Sequence, residues 1–287
     1  MDREARVVFL ASDGPPADGR HMMWSGNRAR HVVLCALIAM VAPGPALHAQ
    51  SSPIAEGPET VTARDWWRLG AFATGTAVAL PFDRRLATRF AQPSWHRSTV
   101  VAHGAEVVEA VGKPGALILS VGSYVAGRLT QHDGLADVGL HATEAVLVSG
   151  VVTNMIKPLL GRARPSLSPQ QDPLTFHPFR GDDNDRALPS GHTTVAFAAA
   201  AVVSAEFSRS RYAARHPRVA RAMAPVMFGV ASLVGASRMY HNAHWASDVV
   251  AAAGIGTVTG LMVVRRQHEG PRGRIDRWLL PASRTQP

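Results

Sequence analysis

Cysteine and lysine are almost missing from this chain of 287 residues. Cys35 is the single cysteine, so the chain cannot form an internal disulfide framework. Only two lysines occur, Lys113 and Lys157, and the other 28 of the 30 lysines and arginines are arginines. Charged residues make up 18% of the sequence, which is low for a soluble protein, whereas hydrophobic residues make up 46%. The composition therefore supports a substantial core and leaves a membrane-associated fold open.

The surroundings of the cysteine indicate an export signal. A basic patch, RARH at 28–31, precedes an apolar run over 32–42 that is too short to span a bilayer, and PGPALHAQ follows. This layout predicts a signal peptide over residues 1–49, cleaved after Ala49, although Leu47 is larger than the small residue usual at that position. The polar stretch before Met22 suggests that translation starts at Met22 or Met23. The alternative is a short N-terminal anchor or core helix.

A net charge of +9 and a pI of about 11.0 indicate an anionic partner, which can be nucleic acid, a membrane or an anionic substrate. The arginines fall in clusters between apolar segments. The sequence contains neither a zinc-finger spacing nor the aromatic and basic strip of an RNA-binding sheet. We therefore expect no nucleic-acid partner.

Apolar segments rich in Ala, Gly and Val follow one another along the chain and predict an all-α helical bundle. One long irregular stretch, 161–189, interrupts them, and long loops in compact domains are usually functional. We expect a spacer and first helix over 50–97, a core of about six helices over 98–264, and a basic tail over 265–287. The segments lie near 66–82, 98–112, 115–129, 135–156, 193–207, 219–237 and 247–264.

Arginine clusters between the segments favour a bundle embedded in a membrane. If chain direction alternates, the clusters at 82–90, at 207–222 and after 264 fall on one side, which the positive-inside rule makes cytoplasmic. The loops at 157–192 and 237–246 then share the outer side. We expect a protein of the cell envelope, in the cytoplasmic membrane, whose functional site is formed by these two loops and faces the periplasm. Borderline hydropathy leaves a soluble bundle with exposed arginine loops as the alternative.

Three polar patches then come to one end of the bundle: KPLLGRARP at 157–165, PSGHTT at 189–194 and SRMYHNAHWASD at 237–248. Lys157, Arg164 and Arg238, with Arg162 as a further candidate, would repel one another unless an anion with several oxygens lay between them. Taken singly, Lys157 or Arg164 is also typical of a flanking residue whose charged end reaches water.

The PSGH tetrapeptide opens a helical run, and a helix N-terminus attracts anions. Gly191 would let the backbone approach an oxyanion closely, and Ser190 can donate its hydroxyl to the anion. Taken alone, the tetrapeptide is more typical of a helix that Pro189 enters and Ser190 caps than of a functional site.

His244 and Asp248 are four residues apart, one turn on a helix, so the carboxylate can fix the ring tautomer and leave the other nitrogen as a nucleophile. His192 can act as a general acid. The alternative for the His244–Asp248 pair is a surface pair of small consequence. A metal site built from these residues and His241 is weaker, because three cations oppose a divalent ion. We expect His241 and Trp245 to pack or shape the site and His177 to be a solvated loop residue.

Taken in order, Lys157-x6-Arg164-Pro165, Pro189-Ser190-Gly191-His192 and Ser237-Arg238-x5-His244-x3-Asp248 resemble the three-part signature of the type 2 phosphatidic acid phosphatase superfamily. That superfamily also includes bacterial acid phosphatases and vanadium haloperoxidases. The resemblance implies a helical phosphatase that needs no metal or other cofactor. It implies His244 as the nucleophile, Asp248 as its partner and His192 as the acid. It implies phosphate binding by Lys157, Arg164, Arg238, Ser190 and Gly191.

The substrate stays open at this stage. A membrane-embedded bundle favours a lipid phosphate, such as phosphatidic acid, phosphatidylglycerol phosphate or undecaprenyl diphosphate. A soluble periplasmic bundle favours small phosphate esters. An oxidase that holds vanadate in the same pocket is a second hypothesis, and a binding protein with an inert site is a third. The sequence does not give the oligomeric state.

Overall fold

The computed structural model describes residues 61–167, 172–180 and 182–269. Apart from one isolated β-bridge between Arg162 and Phe176, the regular structure in these ranges is helical. The prediction of an all-α bundle is confirmed. The predicted signal peptide and most of the spacer and basic tail lie outside the described residues.

Each of the seven apolar segments forms a helix, and three short helices that the apolar pattern did not indicate connect them. The short helices are α2, α3 and α8. The helices are α1 (Ala63–Ala79), α2 (Asp83–Phe90), α3 (Pro93–His96), α4 (Thr99–Ala110), α5 (Ala116–Leu129), α6 (Asp133–Leu160), α7 (Gly191–Arg209), α8 (Arg211–Arg215), α9 (Pro217–Tyr240) and α10 (Ala246–Glu269). A π-helical turn, Val111–Gly115, joins α4 to α5.

Helix α7 lies at the centre of the bundle and packs against α6, α9 and α10. Its alanine-rich sequence leaves little side-chain bulk, so the neighbouring helices approach closely on several sides. Ala198 and Val202 pack with Ala142 and Ala145 of α6 and with Val264 of α10. A second cluster joins Phe197 to Val234 of α9. Because α7 begins in the PSGH motif, this packing fixes the position of that motif relative to the other two.

The contact between α7 and α10 depends on glycine. A Cβ atom at Gly256 would collide with the carbonyl oxygen of Thr194, and one at Gly260 would press against the carbonyl oxygen of Ala198. The two backbones therefore approach more closely than any larger residue would permit. This close approach holds the start of α7, which carries His192, against the start of α10, which carries Asp248.

The alternation of chain direction expected from the sequence fails at residues 82–90. Helix α1 runs antiparallel to α10, because Asp65 pairs with Arg265 near the end of α10 whereas Asp83 accepts a 2.8 Å hydrogen bond from the Ser247 N–H at its start. Residues 82–90 therefore lie at the site end, and their predicted placement with the other arginine clusters is wrong.

The reason for this failure is helix α4, which lies across the end of the bundle. The His96 ring, just before α4, stacks on Tyr240 at a centroid distance of 4.4 Å, and Glu109, at the end of α4, pairs with Arg238. Both flanks of the helix thus meet the last turns of α9.

Three helices are long and apolar enough to cross a membrane: α6, α9 and α10. Helix α9 is the most exposed of them, and only 17% of its most apolar 18-residue window is buried inside the protein. Large apolar side chains such as Val226, Val230 and Leu233 are exposed on it. An apolar helix with so little protein cover would be unfavourable in water.

Candidate active site

The three polar patches meet at one end of the bundle. Lys157 lies in the last turn of α6, Ser190 immediately precedes α7, and His244 lies in the turn between α9 and α10. The Ser190 N–H donates a 3.3 Å hydrogen bond to the backbone carbonyl of Asp248, which joins the second patch to the third. Gly161 ends α6 in the left-handed conformation, with a φ of 58°, and turns the chain into the 161–189 loop.

His244 is buried, and a backbone carbonyl determines its tautomer. The distance between its Nδ1 and the carbonyl oxygen of Ala187 is 2.7 Å. Because a carbonyl can only accept, Nδ1 carries the proton and Nε2 keeps its lone pair. The nearer Asp248 oxygen is 3.7 Å from Nδ1, beyond hydrogen-bond distance. The expectation that Asp248 fixes the tautomer through a direct bond on a shared helix is therefore wrong, since His244 precedes α10.

Asp248 belongs to a buried network that includes Arg162. One carboxylate oxygen accepts a 2.5 Å hydrogen bond from Arg162 Nη1, and the other accepts a 2.8 Å bond from the Trp245 N–H. The other end of the guanidinium donates to Asp83 at 2.7 Å. Arg162 is fully buried, so it cannot serve as the further phosphate cation considered from the sequence. It holds the Asp248 carboxylate in place instead.

Four cations surround the space between the three polar patches. Lys157 Nζ donates to the Arg186 carbonyl at 2.6 Å, and Arg164 Nε donates to the Asp183 carbonyl at 3.1 Å. Lys157 interacts electrostatically with Arg164 and Asp248, and Arg164 interacts electrostatically with Arg238. Arg238 is largely buried, and among the described residues its Nε–H finds no acceptor. A buried donor of this kind is well suited to an oxyanion.

Lys113 is the fourth cation, and the motifs did not indicate it. It lies in the π-helical turn after α4, and its Nζ would be 3.4 Å from a Cβ atom built on Gly191. The Lys157 Cε lies 3.9 Å from the same point. A side chain at Gly191 would therefore project between the two lysines, where a bound anion would have to lie.

Ser190 is fully buried and makes no side-chain capping bond to α7. Its hydroxyl oxygen accepts a 2.9 Å hydrogen bond from the Thr193 hydroxyl. The alternative interpretation of PSGH as a simple serine cap is thus not what the structure contains.

Glu109 places a carboxylate among these cations. It forms an ion pair with Arg238, lies 3.1 Å from His241 Nε2 and lies 3.8 Å from His192 Nε2. No sequence pattern indicated this residue, because it lies at the end of α4, far from any motif. A phosphate that binds Arg238 must either share its guanidinium with Glu109 or displace the Glu109 carboxylate from it.

The two candidate catalytic histidines are held in their neutral forms. Burial lowers the pKa of His244 to about 4, although the Asp248 carboxylate acts in the opposite direction. Burial, with the positive charges of Arg238, Lys113 and Lys157, lowers the pKa of His192 to about 3. A phosphate dianion between these groups would oppose the effect of the cations and raise the pKa of both rings.

The 161–189 loop positions the site through its backbone. Its carbonyls at Asp183, Arg186 and Ala187 accept hydrogen bonds from Arg164, Lys157 and His244. Trp245, fully buried, donates to the Ala163 carbonyl at 2.9 Å, which is consistent with its predicted packing role. His177 lies 2.9 Å from Asp185 and is 40% exposed, so it is only partly the solvated residue we expected.

Comparison with known proteins relates part of the chain to one family. Residues 139–271, just under half of the chain, match the model of the PAP2 superfamily. This region is therefore similar to the PAP2 superfamily. The matched residues include all eight site residues predicted from the sequence, whereas Asp83, Glu109 and Lys113 lie outside the PAP2 match.

Curated relatives share part of this region. The chain is 30% identical over 125 residues to a lipid A 1-phosphatase of Rhizobium johnstonii, covering 44% of the chain and 46% of the relative. It is 30% identical over 119 residues to a lipid A 1-phosphatase of Rhizobium etli, covering 42% and 46%. A lipid A 1-phosphatase of Porphyromonas gingivalis is 42% identical over 74 residues, 26% of this chain and 15% of that one. The chain thus spans slightly less than half the length of the two Rhizobium relatives.

Among solved structures, a transmembrane PAP2 type phosphatidylglycerolphosphate phosphatase from Bacillus subtilis is similar, with a TM-score of 0.41 and 17% sequence identity. The superposition covers 72% of this chain and all of that one.

Proposed function

We propose that the chain is a metal-independent phosphatase that hydrolyses the phosphate ester or diphosphate of a membrane lipid through a phosphohistidine on His244. One observation carries the proposal. The Ala187 carbonyl holds the proton on Nδ1 of His244, so Nε2 has a free lone pair next to a cluster of cations that suits a phosphoryl group.

In the first step, His244 Nε2 attacks phosphorus and the bond from phosphorus to the leaving oxygen breaks. His192, protonated once the substrate's negative charge has raised its pKa, gives its proton to the leaving oxygen. The buried Asp248 carboxylate stabilises the positive charge that develops on the His244 ring. In the second step, His192 takes a proton from water and the hydroxide attacks phosphorus. The bond from phosphorus to His244 Nε2 breaks, and phosphate leaves with the neutral His244 ring restored.

Four cations and the start of α7 stabilise the phosphoryl oxygens in both steps. Lys157, Arg164 and Arg238 supply charge, and the Ser190 hydroxyl and the Gly191 N–H supply hydrogen bonds. Lys113 adds a cation from outside the family motifs. Charge stabilisation of this kind is the main contribution that a protein makes to phosphoryl transfer.

An apolar groove beside the cations supports a lipid substrate. It has a volume of about 350 Å³, begins at Gly112 and Lys113, and continues between α5 and α6. Its walls include Leu117, Val146 and Val151. An acyl chain in this groove would bring a phosphate head group to Lys113. The curated relatives are named as phosphatases of lipid A, so lipid A 1-phosphate joins the candidate substrates.

We further propose that the bundle lies in the cytoplasmic membrane with this site on the periplasmic side. Helices α6, α9 and α10 are long and apolar enough to span it. The arginines of 209–221 and Arg265 and Arg266 lie at the end opposite the site, where the positive-inside rule expects the cytoplasm.

A substrate panel with a blocked groove tests the lipid assignment. Purified protein would be assayed on phosphatidic acid, phosphatidylglycerol phosphate, undecaprenyl diphosphate, lipid A 1-phosphate and p-nitrophenyl phosphate. Gly150 lines the groove and a Cβ atom there meets nothing within 4 Å, so Gly150→Leu would place a side chain in the groove. Gly122→Leu, equally free of contacts and outside the groove lining, is the matched control.

We expect Gly150→Leu to lower lipid turnover while p-nitrophenyl phosphate turnover and the control variant stay close to wild type. Equal turnover of p-nitrophenyl phosphate and every lipid, unaffected by Gly150→Leu, would contradict the lipid assignment and favour a phosphatase of small esters.

A further inference from the structure

A second cluster of ionisable side chains lies at the opposite end of the bundle. His141 of α6 and His268 of α10 converge on the carboxylate of Glu206 in α7. His141 Nδ1 is 2.8 Å from Glu206 Oε1, and His268 Nε2 is 2.9 Å and 3.0 Å from the two carboxylate oxygens. Glu206 is 14 residues after His192 on α7, which places the cluster roughly 21 Å from the proposed active site.

The geometry of the cluster suits a metal ion. One ligand atom from each of the three residues lies within 4.8 Å of the others, and three different helices supply them. His141 and Glu206 are buried, whereas His268 has a side chain 36% exposed, which leaves a route from solvent. The two imidazole rings meet edge to face, so their nitrogens approach one point without stacking.

A second carboxylate lies near the cluster on α6. Asp137 precedes His141 by one helical turn and is partly buried. Its carboxylate interacts electrostatically with His141, Glu206 and His268. Two imidazoles with one carboxylate are a donor set that favours Zn²⁺ and neighbouring transition ions over Ca²⁺ or Mg²⁺, which prefer oxygen ligands alone.

We propose that His141, Glu206 and His268 bind a divalent first-row transition ion of the Zn²⁺ type, with Asp137 as a nearby carboxylate outside the ligand set. The ion would tie α6, α7 and α10 together at the end away from the active site. Its role is structural, because no residue of the proposed phosphatase chemistry belongs to the cluster. The site is independent of the phosphatase proposal and holds or fails separately.

Metal binding would be measured directly on the full-length protein. After purification without chelator and dialysis, we expect about one equivalent of zinc by mass spectrometry, and Co²⁺ substitution should give the visible absorption bands of a four-coordinate site. Removal of the ion with a chelator should lower Tm. Asp137→Asn should weaken Zn²⁺ affinity by about 10- to 100-fold while the protein stays folded.

Two histidine variants provide the comparison. His268→Ala should lose the zinc, the Co²⁺ bands and the chelator-dependent part of Tm. His132→Ala, which removes an exposed histidine just before α6, should keep all three. Phosphate release from p-nitrophenyl phosphate, measured well below Tm, should be the same for holo and chelated wild type. The proposal would be overturned if the wild-type protein bound neither zinc nor cobalt and its Tm did not change with chelator. The three residues would then form a hydrogen-bonded His–Glu–His network without a metal ion.

Discussion

At the scale of single residues, the proposed chemistry depends on how the His244 imidazole is held. The Ala187 carbonyl sets the tautomer of His244, and Asp248 contributes a buried negative charge 3.7 Å away. Arg162 shares its guanidinium between Asp248 and Asp83, so the charge near His244 is already partly balanced. Asp248 therefore has two functions, one toward Arg162 and one toward His244.

Asp248→Asn and Asp83→Asn separate these two functions. Each variant removes one carboxylate charge from Arg162, so both should lower Tm by similar amounts. Only Asp248→Asn also removes the charge beside His244, and it should lower kcat by roughly 10²-fold or more while Asp83→Asn retains most activity. Vanadate binding, as a measure of the cation cluster, should change little in either. Equal losses of kcat in the two variants would make Asp248 a purely structural residue.

The lowered pKa of His192 predicts a difference between two pH profiles. His192 must be protonated to act as the acid, so activity falls as pH rises through its pKa. Cations and burial lower that pKa in the empty site, whereas a bound phosphate dianion raises it. The alkaline limb of kcat/KM, which reports the free enzyme, should therefore lie at lower pH than the alkaline limb of kcat. Coincident limbs would argue against His192 as the acid.

The motif residues could be predicted because each one is a charged or polar side chain at a fixed spacing. Glu109 and Lys113 could not be predicted, because they belong to no motif and lie at the site only because of how α4 and the turn after it are placed. The role of Ala187 was equally hidden, since a backbone carbonyl leaves no trace in the sequence. Arg162 was a further candidate phosphate cation beside Arg164 because the two share side-chain type and lie two residues apart, and only its burial shows that Arg162 is structural.

At the scale of elements, the packing of α7 on α10 sets the distance between the two halves of the site. His192 and Asp248 lie in the first turns of these two helices, which approach closely at Gly256 and Gly260. Helix periodicity predicted that both segments are helices. It did not predict that α4 lies across the bundle end, because an apolar segment of 12 residues has the same pattern in either orientation.

Gly256→Ala tests this close packing. The added methyl group would meet the Thr194 carbonyl, so the helices must separate, at a cost of about 1–3 kcal/mol in the free energy of unfolding. Gly229→Ala on α9 is the control, since a Cβ atom there meets nothing within 4 Å. We expect a lower Tm and lower kcat for Gly256→Ala and a Tm at or slightly above wild type for Gly229→Ala. Equal Tm values would show that the interface tolerates side-chain volume.

At the scale of the whole molecule, the bundle has two ends with different charged groups, and exposed apolar side chains lie between these ends. The candidate spans α6 and α9 carry exposed apolar side chains, including Val151 and Leu233. The cations proposed to bind phosphate lie at one end, and most of the described arginine-rich turns lie at the other. The proposed membrane orientation follows from this division.

Single cysteines can report that orientation, because Cys35 is the only native cysteine and can be replaced by serine. Arg180→Cys is exposed at the site end, and Arg215→Cys is exposed at the opposite end. A membrane-impermeant maleimide that enters the periplasm should label Arg180→Cys in intact cells and Arg215→Cys only after lysis. The reverse pattern would place the site in the cytoplasm, and labelling of both before lysis would contradict a spanning bundle.

The most direct test of the central claim is phosphate release by wild type and His244→Ala, side by side, with EDTA present. We predict release by wild type and none above background by His244→Ala, with vanadate still bound by both proteins because the cation cluster is intact. Release that survives in His244→Ala, or that EDTA abolishes in wild type and a divalent ion restores, would contradict a metal-independent phosphohistidine mechanism.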